Sequence, residues 1–287
     1  MSFRGGRVVG RDDELGHFDR LVRGVAAGRG GAIWVEGEAG IGKSALLTAG
    51  LSGAEGLGCQ VHRAAADELG RRFPLQVMLD CLDVLPATTD PVRRPVAEAL
   101  RVRSHARAAA LDPVPAAAEE LMGLLERLCA RPLVLAVDDL QWADDASLLV
   151  WHWLGRRIGQ LPLLLVAAHR PVPLQAQVAR LRHQAADAGA TMLELARLPE
   201  EAVAGLVADL TGAEAVGPRL RAAMTGAGGN PLYVREMVDA LARERLLSTA
   251  GRTVELAGAA GTDTVPDVPM SLVAAISDRL GFLSEDT

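Results

Sequence analysis

Gly37-Glu38-Ala39-Gly40-Ile41-Gly42-Lys43-Ser44 is the stretch on which the fold turns. It matches G-x-x-x-x-G-K-[ST]. It follows a short apolar run, Ala32-Ile33-Trp34-Val35-Glu36, and precedes a helix predicted over Ala45–Leu51. A strand, a glycine-rich turn and a helix in that order form a phosphate cradle. The glycines let the backbone turn so that successive N–H groups, from Ala39, Gly40, Ile41 and Gly42 to Ala45, point at a phosphate. The helix adds its positive N-terminal end. Lys43 reaches the outer phosphates and the Ser44 hydroxyl ligates Mg²⁺.

Composition singles out the same loop. Lys43 is the one lysine in 287 residues; every other residue among the 30 Lys and Arg is arginine. A lysine kept against that bias belongs where a compact ammonium fits and a planar guanidinium does not. The net charge of −6 and the 3% aromatic content exclude a large nucleic-acid footprint and base-stacking platforms. The 49% hydrophobic content is enough for a real core. Cys59, Cys81 and Cys129 are far apart and lack CxxC spacing, so reduced thiols in a cytoplasmic protein are the better reading. The longest apolar run, Leu161 to Ala168, is far short of a membrane span, and the N-terminus has no secretory h-region.

Around the loop, short apolar runs alternate with helical stretches. Strands are predicted at Ala32–Glu36, Gln60–Arg63, Leu133–Val137, Leu163–Ala167 and Met192–Leu195. Helices are predicted over Leu75–Leu85, Val114–Cys129 and Leu148–Ile158. Continuously apolar strands separated by helices indicate a parallel sheet covered on both faces. After Leu198-Pro199 the pattern changes to short helices, Glu200–Leu210, Pro218–Met224 and Pro231–Leu247, with no further continuous apolar strand. Thr249–Pro269 reads as a hairpin or exposed loop, and a last helix, Ser271–Leu280, has little left to pack against. The expected organisation is a nucleotide-binding domain over 1–198, a helical lid over 199–248, and a hairpin with the start of a winged helix over 249–287. The chain reads as a fragment of something longer.

Two acids end the strand at Leu133. At the strand tip beside the phosphate loop, Asp138 can hold Mg²⁺ through water and Asp139 can polarise an attacking water. Alone, such a pair would equally be a helix N-cap; the loop upstream favours the metal and water roles. Asp144 and Asp145 open the following helix, where acids suit the dipole. Arg170 follows the fourth strand, at the carboxyl edge where ligands bind; it either touches the γ-phosphate or forms an exposed salt bridge. His169 packs rather than ligates. Asn230-Pro231 reads as an N-cap and N1 proline.

Val9-Gly10-Arg11, the Gly37–Ser44 loop, Val137-Asp138-Asp139-Leu140-Gln141-Trp142-Ala143-Asp144, Ala168-His169-Arg170-Pro171 and Gly229-Asn230-Pro231-Leu232-Tyr233 occur in that order. Together they resemble the ATPase region of the STAND class within the AAA+ lineage, and most of all the large ATP-binding regulators of the LuxR family. The resemblance implies a P-loop NTPase with a five-stranded parallel sheet, a small helical lid and the start of a winged-helix region. It implies that Val9 and Gly10 contact adenine, with Arg11 nearby on the nucleotide. It makes Arg170 the γ-phosphate sensor and Pro231 the lid proline packing on the base. The implied function is an ATP/ADP switch with slow Mg²⁺-dependent hydrolysis, an unknown inducer, self-association on ATP binding, and DNA contact only through a domain absent from this chain. The alternative is an oligomeric remodelling ATPase with steady turnover, needing an arginine in trans; Arg156 and Arg157 are available but unmarked by a motif. A small-molecule kinase and a nucleotide-stabilised scaffold are further alternatives.

Overall fold

The computed structural model describes residues 8–101, 113–172 and 175–257. The described residues divide into two compact units, one within 13–37 and 43–194, the other within 8–12, 38–42 and 195–257.

The first unit is a five-stranded sheet, β1 Gly31–Glu36, β2 Gln60–Ala65, β3 Leu133–Asp138, β4 Leu163–His169 and β5 Thr191–Glu194. Its order is β2-β3-β4-β1-β5, and every pairing is parallel. Three of the five strands, β1, β3 and β4, are apolar runs without alternation because both faces are covered. All seven residues of β4 are buried, as are the first five of β3. The sheet is flanked by α1 Asp12–Ala26, α2 Lys43–Gly50, α3 Gln76–Cys81, α4 Arg94–Arg101, α5 Pro113–Leu128, α6 Asp145–Arg157 and α7 Ala176–Asp187. The core joins Leu121, Leu124 and Leu125 of α5 and Leu148, Trp151 and Leu154 of α6 to Leu133, Leu135, Leu163 and Leu165 of the sheet.

The order matters because it sets three carboxyl ends side by side. β4 lies between β3 and β1, with Val137 opposite Ala167 and Glu36 opposite His169. Asp138, Arg170 and Gly37 therefore leave adjacent strands at one edge, where ligands bind in open α/β sheets.

The second unit packs α8 Glu200–Thr211, α9 Pro218–Met224 and α10 Pro231–Arg243 around Val203, Leu206, Val207, Leu220, Met224, Val234 and Met237. It also holds a small sheet in the order β6-β8-β7, from β6 Ala215–Val216, β7 Leu247–Ala250 and β8 Thr253–Leu256. The antiparallel β7–β8 pair overlaps the start of the hairpin or loop expected over Thr249–Pro269, whereas β6 was not expected. They escape a search for apolar runs because β6 has two residues and β8 alternates, burying Val254 and Leu256.

Two helices are shorter than expected. α10 stops at Arg243 rather than Leu247. Arg245 takes φ 56°, Arg245 N bonds Ala242 O at 3.1 Å and Leu246 N bonds Leu241 O at 2.9 Å. That is the Schellman pattern, closed here by an arginine in place of glycine. α3 covers Gln76–Cys81 instead of Leu75–Leu85, because Leu75 and Asp83 both lie at positive φ. The expected helix Ser271–Leu280 and the winged-helix start beyond Ala257 lie outside the described residues.

Candidate functional site

In the first unit the site is built on the ends of β1, β3 and β4 and the first turn of α2. Lys43 opens α2 and is 7% exposed. Its Nζ donates to Gly37 O at 2.9 Å. Burial pulls its pKa below the usual lysine range, against the pull of Asp139 and Asp138, while Arg170 adds to the lowering. The Ser44 hydroxyl donates to Asp138 Oδ2. Asp138 Oδ1 accepts Asp139 N at 2.9 Å. Burial pushes the Asp138 carboxyl above the usual range, and the Ser44 hydrogen bond partly offsets this. A helix hydroxyl in direct contact with a carboxylate at a strand tip is a pair that could ligate Mg²⁺, which keeps several waters and needs few protein ligands. No group of three His, Cys, Asp or Glu with metal-ligand placement occurs among the described residues. Ala45 is exposed in the same first turn of α2.

Asp139 and Arg170 meet. Arg170 Nε lies 3.6 Å from Asp139 Oδ1, an ion pair longer than a hydrogen bond, and the Arg170 side chain is 18% exposed. The pair is half-buried at the sheet edge. His169 is fully buried edge-on to Trp34, and burial lowers its pKa. Its neighbour Glu36 takes Arg182 of α7 at 2.7 Å, which ties the end of β1 to α7.

Gln141 was quoted in the sequence motif without a role. It is 1% exposed in the 3₁₀ turn Leu140–Trp142. Its Nε2 donates to Asp139 Oδ1 at 2.8 Å, and its Oε1 accepts Arg170 N at 3.1 Å. The only sequence signal is a polar residue between two large apolar ones. Asp144 does cap α6, accepting Ser147 N at 2.8 Å and Ser147 Oγ at 2.6 Å; it also accepts Leu75 N at 2.7 Å.

The tip of the phosphate loop belongs to the second unit. Asn230 Nδ2 donates to Ala39 O at 2.9 Å, and Leu232 N reaches both Asn230 Oδ1 at 3.0 Å and Gly40 O at 3.2 Å. Gly40 sits at φ 75°, and a Cβ there would lie 2.6 Å from Leu232 Cβ. Glu38 pairs with Arg197 at 3.2 Å, and Ile41 is buried. Pro231, at the first position of α10, lies beside Gly42. Val9 packs on the α8–α10 core, Gly10 stands against Ala202, and Arg11 donates to Ala196 O. The sequence assigned Asn230 a capping role alone; its second bond, to the loop, was not foreseen.

The sequence profile of the AAA ATPase domain matches residues 7–166, more than half of the chain. This chain belongs to the AAA ATPase domain family. AAA ATPases bind nucleotide, typically with Mg²⁺. Uncharacterized protein R02095 of Rhizobium meliloti (strain 1021) is 28% identical over 267 residues, spanning 81% of this chain and 25% of that protein. The AAA ATPase chain thus covers about a quarter of that relative's length. The Aeropyrum pernix ORC1 protein in complex with DNA aligns over 96% of this chain and 66% of its own, at TM-score 0.55 and 14% identity. The Aeropyrum pernix ORC2 protein aligns over 81% and 64%, at TM-score 0.52 and 15% identity. At such identity these two show likeness of fold alone. Among the described residues of the AAA ATPase, no helix is long and apolar enough to cross a membrane.

Proposed function

We propose that this AAA ATPase module is the ATP/ADP switch of a larger, multidomain regulator of transcription, of the STAND type that its motifs resemble. The supporting observation is the grip of α10 on the phosphate loop. Two loop carbonyls, Ala39 O and Gly40 O, are bonded to Asn230 and Leu232, so any rearrangement of the loop by a ligand acts directly on α10. A switch needs differential affinity for its two ligands, and a loop with helical partners provides a route for it.

On this reading the phosphates ride on residues 39–45, with Lys43 on the outer phosphates. Val9, Gly10, Arg11 and Pro231 serve the adenine end. Ser44 and Asp138 hold Mg²⁺, which supplies charge neutralisation on the transferred phosphate. Asp139 takes the proton of the attacking water and Arg170 reads the γ-phosphate. The inducer is unidentified, DNA is contacted by another part of the full protein, and ATP promotes self-association. Cys59, Cys81 and Cys129 are buried free thiols, which suits a cytoplasmic protein.

The test is to denature the purified chain, identify the released nucleotide, and follow ATP turnover with Mg²⁺. Retained ADP with turnover well below 1 s⁻¹ supports the switch. Multiple turnovers on the order of 10 s⁻¹, rising with protein concentration, point to the oligomeric remodelling ATPase instead. Absence of any nucleotide binding overturns the reading.

A further inference from the structure

The Asp139–Arg170 pair has an unusual geometry. A carboxylate and a guanidinium in a half-buried setting ordinarily close to hydrogen-bond distance, often with two parallel bonds. Here the nearest approach is 3.6 Å, and buried Arg170 Nε has no hydrogen-bond partner among the described residues. Gln141 sits at this gap: its amide nitrogen donates to Asp139 Oδ1, the oxygen nearest Arg170 Nε, and so fixes where that oxygen lies.

The orientation of that amide is not free. The main-chain N–H of Arg170 can only donate, so the atom facing it must be the Gln141 oxygen. The NH₂ group then faces Asp139, which accepts as a carboxylate. A third contact, from Gln175 Nε2 to Gln141 O, holds the turn itself. Gln141 thus has both ends of its side chain and its own carbonyl bonded, at a position 1% exposed.

We propose that Gln141 is a positioning residue that holds Asp139 and Arg170 apart. It engages one carboxylate oxygen and leaves the other to take a proton, and it keeps the guanidinium free for a phosphate. Without it, the two charges collapse into a hydrogen-bonded pair and neither is available. The inference rests on the roles proposed above for Asp139 and Arg170. It makes a narrower claim: Gln141 serves the hydrolytic step and not nucleotide binding.

The experiment compares the 287-residue chain with Gln141→Met and Gln141→Glu. Methionine matches the side chain's length without either hydrogen bond. Glutamate keeps the acceptor for Arg170 N but presents oxygen, not NH₂, to Asp139. For each, ATP affinity is measured by equilibrium titration, the hydrolytic step by single-turnover rate, and stability by melting temperature. Both variants are expected to hold ATP within about threefold of the parent and to lose about 10–100-fold in single-turnover rate, the scale of a misplaced general base. An unchanged rate in Gln141→Met overturns the proposal. So does a fall in affinity and melting temperature that accounts for the lost rate, because Gln141 is then a packing residue. Failure of the parent chain to bind or hydrolyse ATP removes the roles of Asp139 and Arg170, and the proposal with them.

Discussion

Gly40→Ala isolates the contact between the phosphate loop and α10. Two costs add. Gly40 lies at φ 75°, where an L-residue is strained by about 1 kcal/mol. The new Cβ would also stand 2.6 Å from Leu232 Cβ and 2.9 Å from Asn230 Oδ1. Neither neighbour is a flexible tip, since Leu232 is fixed by the helix and Asn230 by two hydrogen bonds. Forcing an extra methyl into such a place costs about 1–3 kcal/mol. The expected loss is therefore about 2–4 kcal/mol, against about 1 kcal/mol for Gly58→Ala. Gly58 has φ 84° but nothing within 4 Å of the added Cβ, so it carries strain without clash. Urea unfolding followed by circular dichroism gives the two losses. Hydrogen exchange over residues 231–243 shows where the first one acts: amides of α10 should lose protection in Gly40→Ala and keep it in Gly58→Ala. Equal destabilisation by the two variants, or unaltered exchange in α10, would show that the loop is not held by that helix.

Lys43→Arg keeps the charge but lengthens the side chain in a 7% exposed site already bonded to Gly37 O. ATP affinity by titration should fall at least tenfold, and parent-like binding would refute the compact-ammonium argument. Asp144→Ala removes three buried acceptor bonds, from Leu75 N, Ser147 N and Ser147 Oγ. It should cost about 2–4 kcal/mol in chemical denaturation. Nucleotide affinity should hold, and a selective loss of binding would reassign Asp144 to the site. Burial raises the Cys81 thiol to about 12 and Cys129 to about 11, and it raises Cys59 as well. At pH 8 the native chain should leave all three thiols unreacted with a disulfide reagent for as long as it stays folded, and denaturant should release all three. Rapid native labelling of any of them contradicts the burial.

The central sheet was legible because its strands are of the type a sequence displays most openly. Leu133–Val137 and Leu163–Ala167 are apolar at every position since both faces are covered, and runs this short favour a strand over a helix. The loop between Gly37 and Ser44 was legible because its chemistry fixes residue type at fixed spacing. What escaped is set by tertiary contact. Leu75 enters the left-handed region because Asp144, 69 residues away, takes its N–H. Arg245 ends α10 without glycine, so nothing local marks the stop. α7 buries only Val178 and Leu181, too few to make a period. Gln141 and Asn230 were in view as letters, but their roles depend on Arg170, Asp139 and Ala39, which no window of sequence holds together.

If the module is the proposed switch, charge balance in the first unit gives a reason for it to rest on ADP. Lys43 and Arg170 supply two positive charges, and Asp138 and Asp139 two negative ones; each cation is felt by a carboxylate. A phosphate that draws Lys43 away from these acids exchanges one partner for another, so the gain is a difference and not a full ion-pair energy. With Arg170 in its proposed role, the exchange occurs only with a γ-phosphate. A diphosphate leaves the Arg170–Asp139 pair as it stands, whereas a triphosphate must part it and leave Asp139 to the amide of Gln141. On the proposed reading that step is a cost specific to ATP, set against the contact it gains. The resting balance can then lie with ADP, and a modest bias of a few kcal/mol from an inducer is enough to reverse it. Gln141 limits the size of that cost: because it already holds the pair at 3.6 Å, there is no tight hydrogen-bonded ion pair to break.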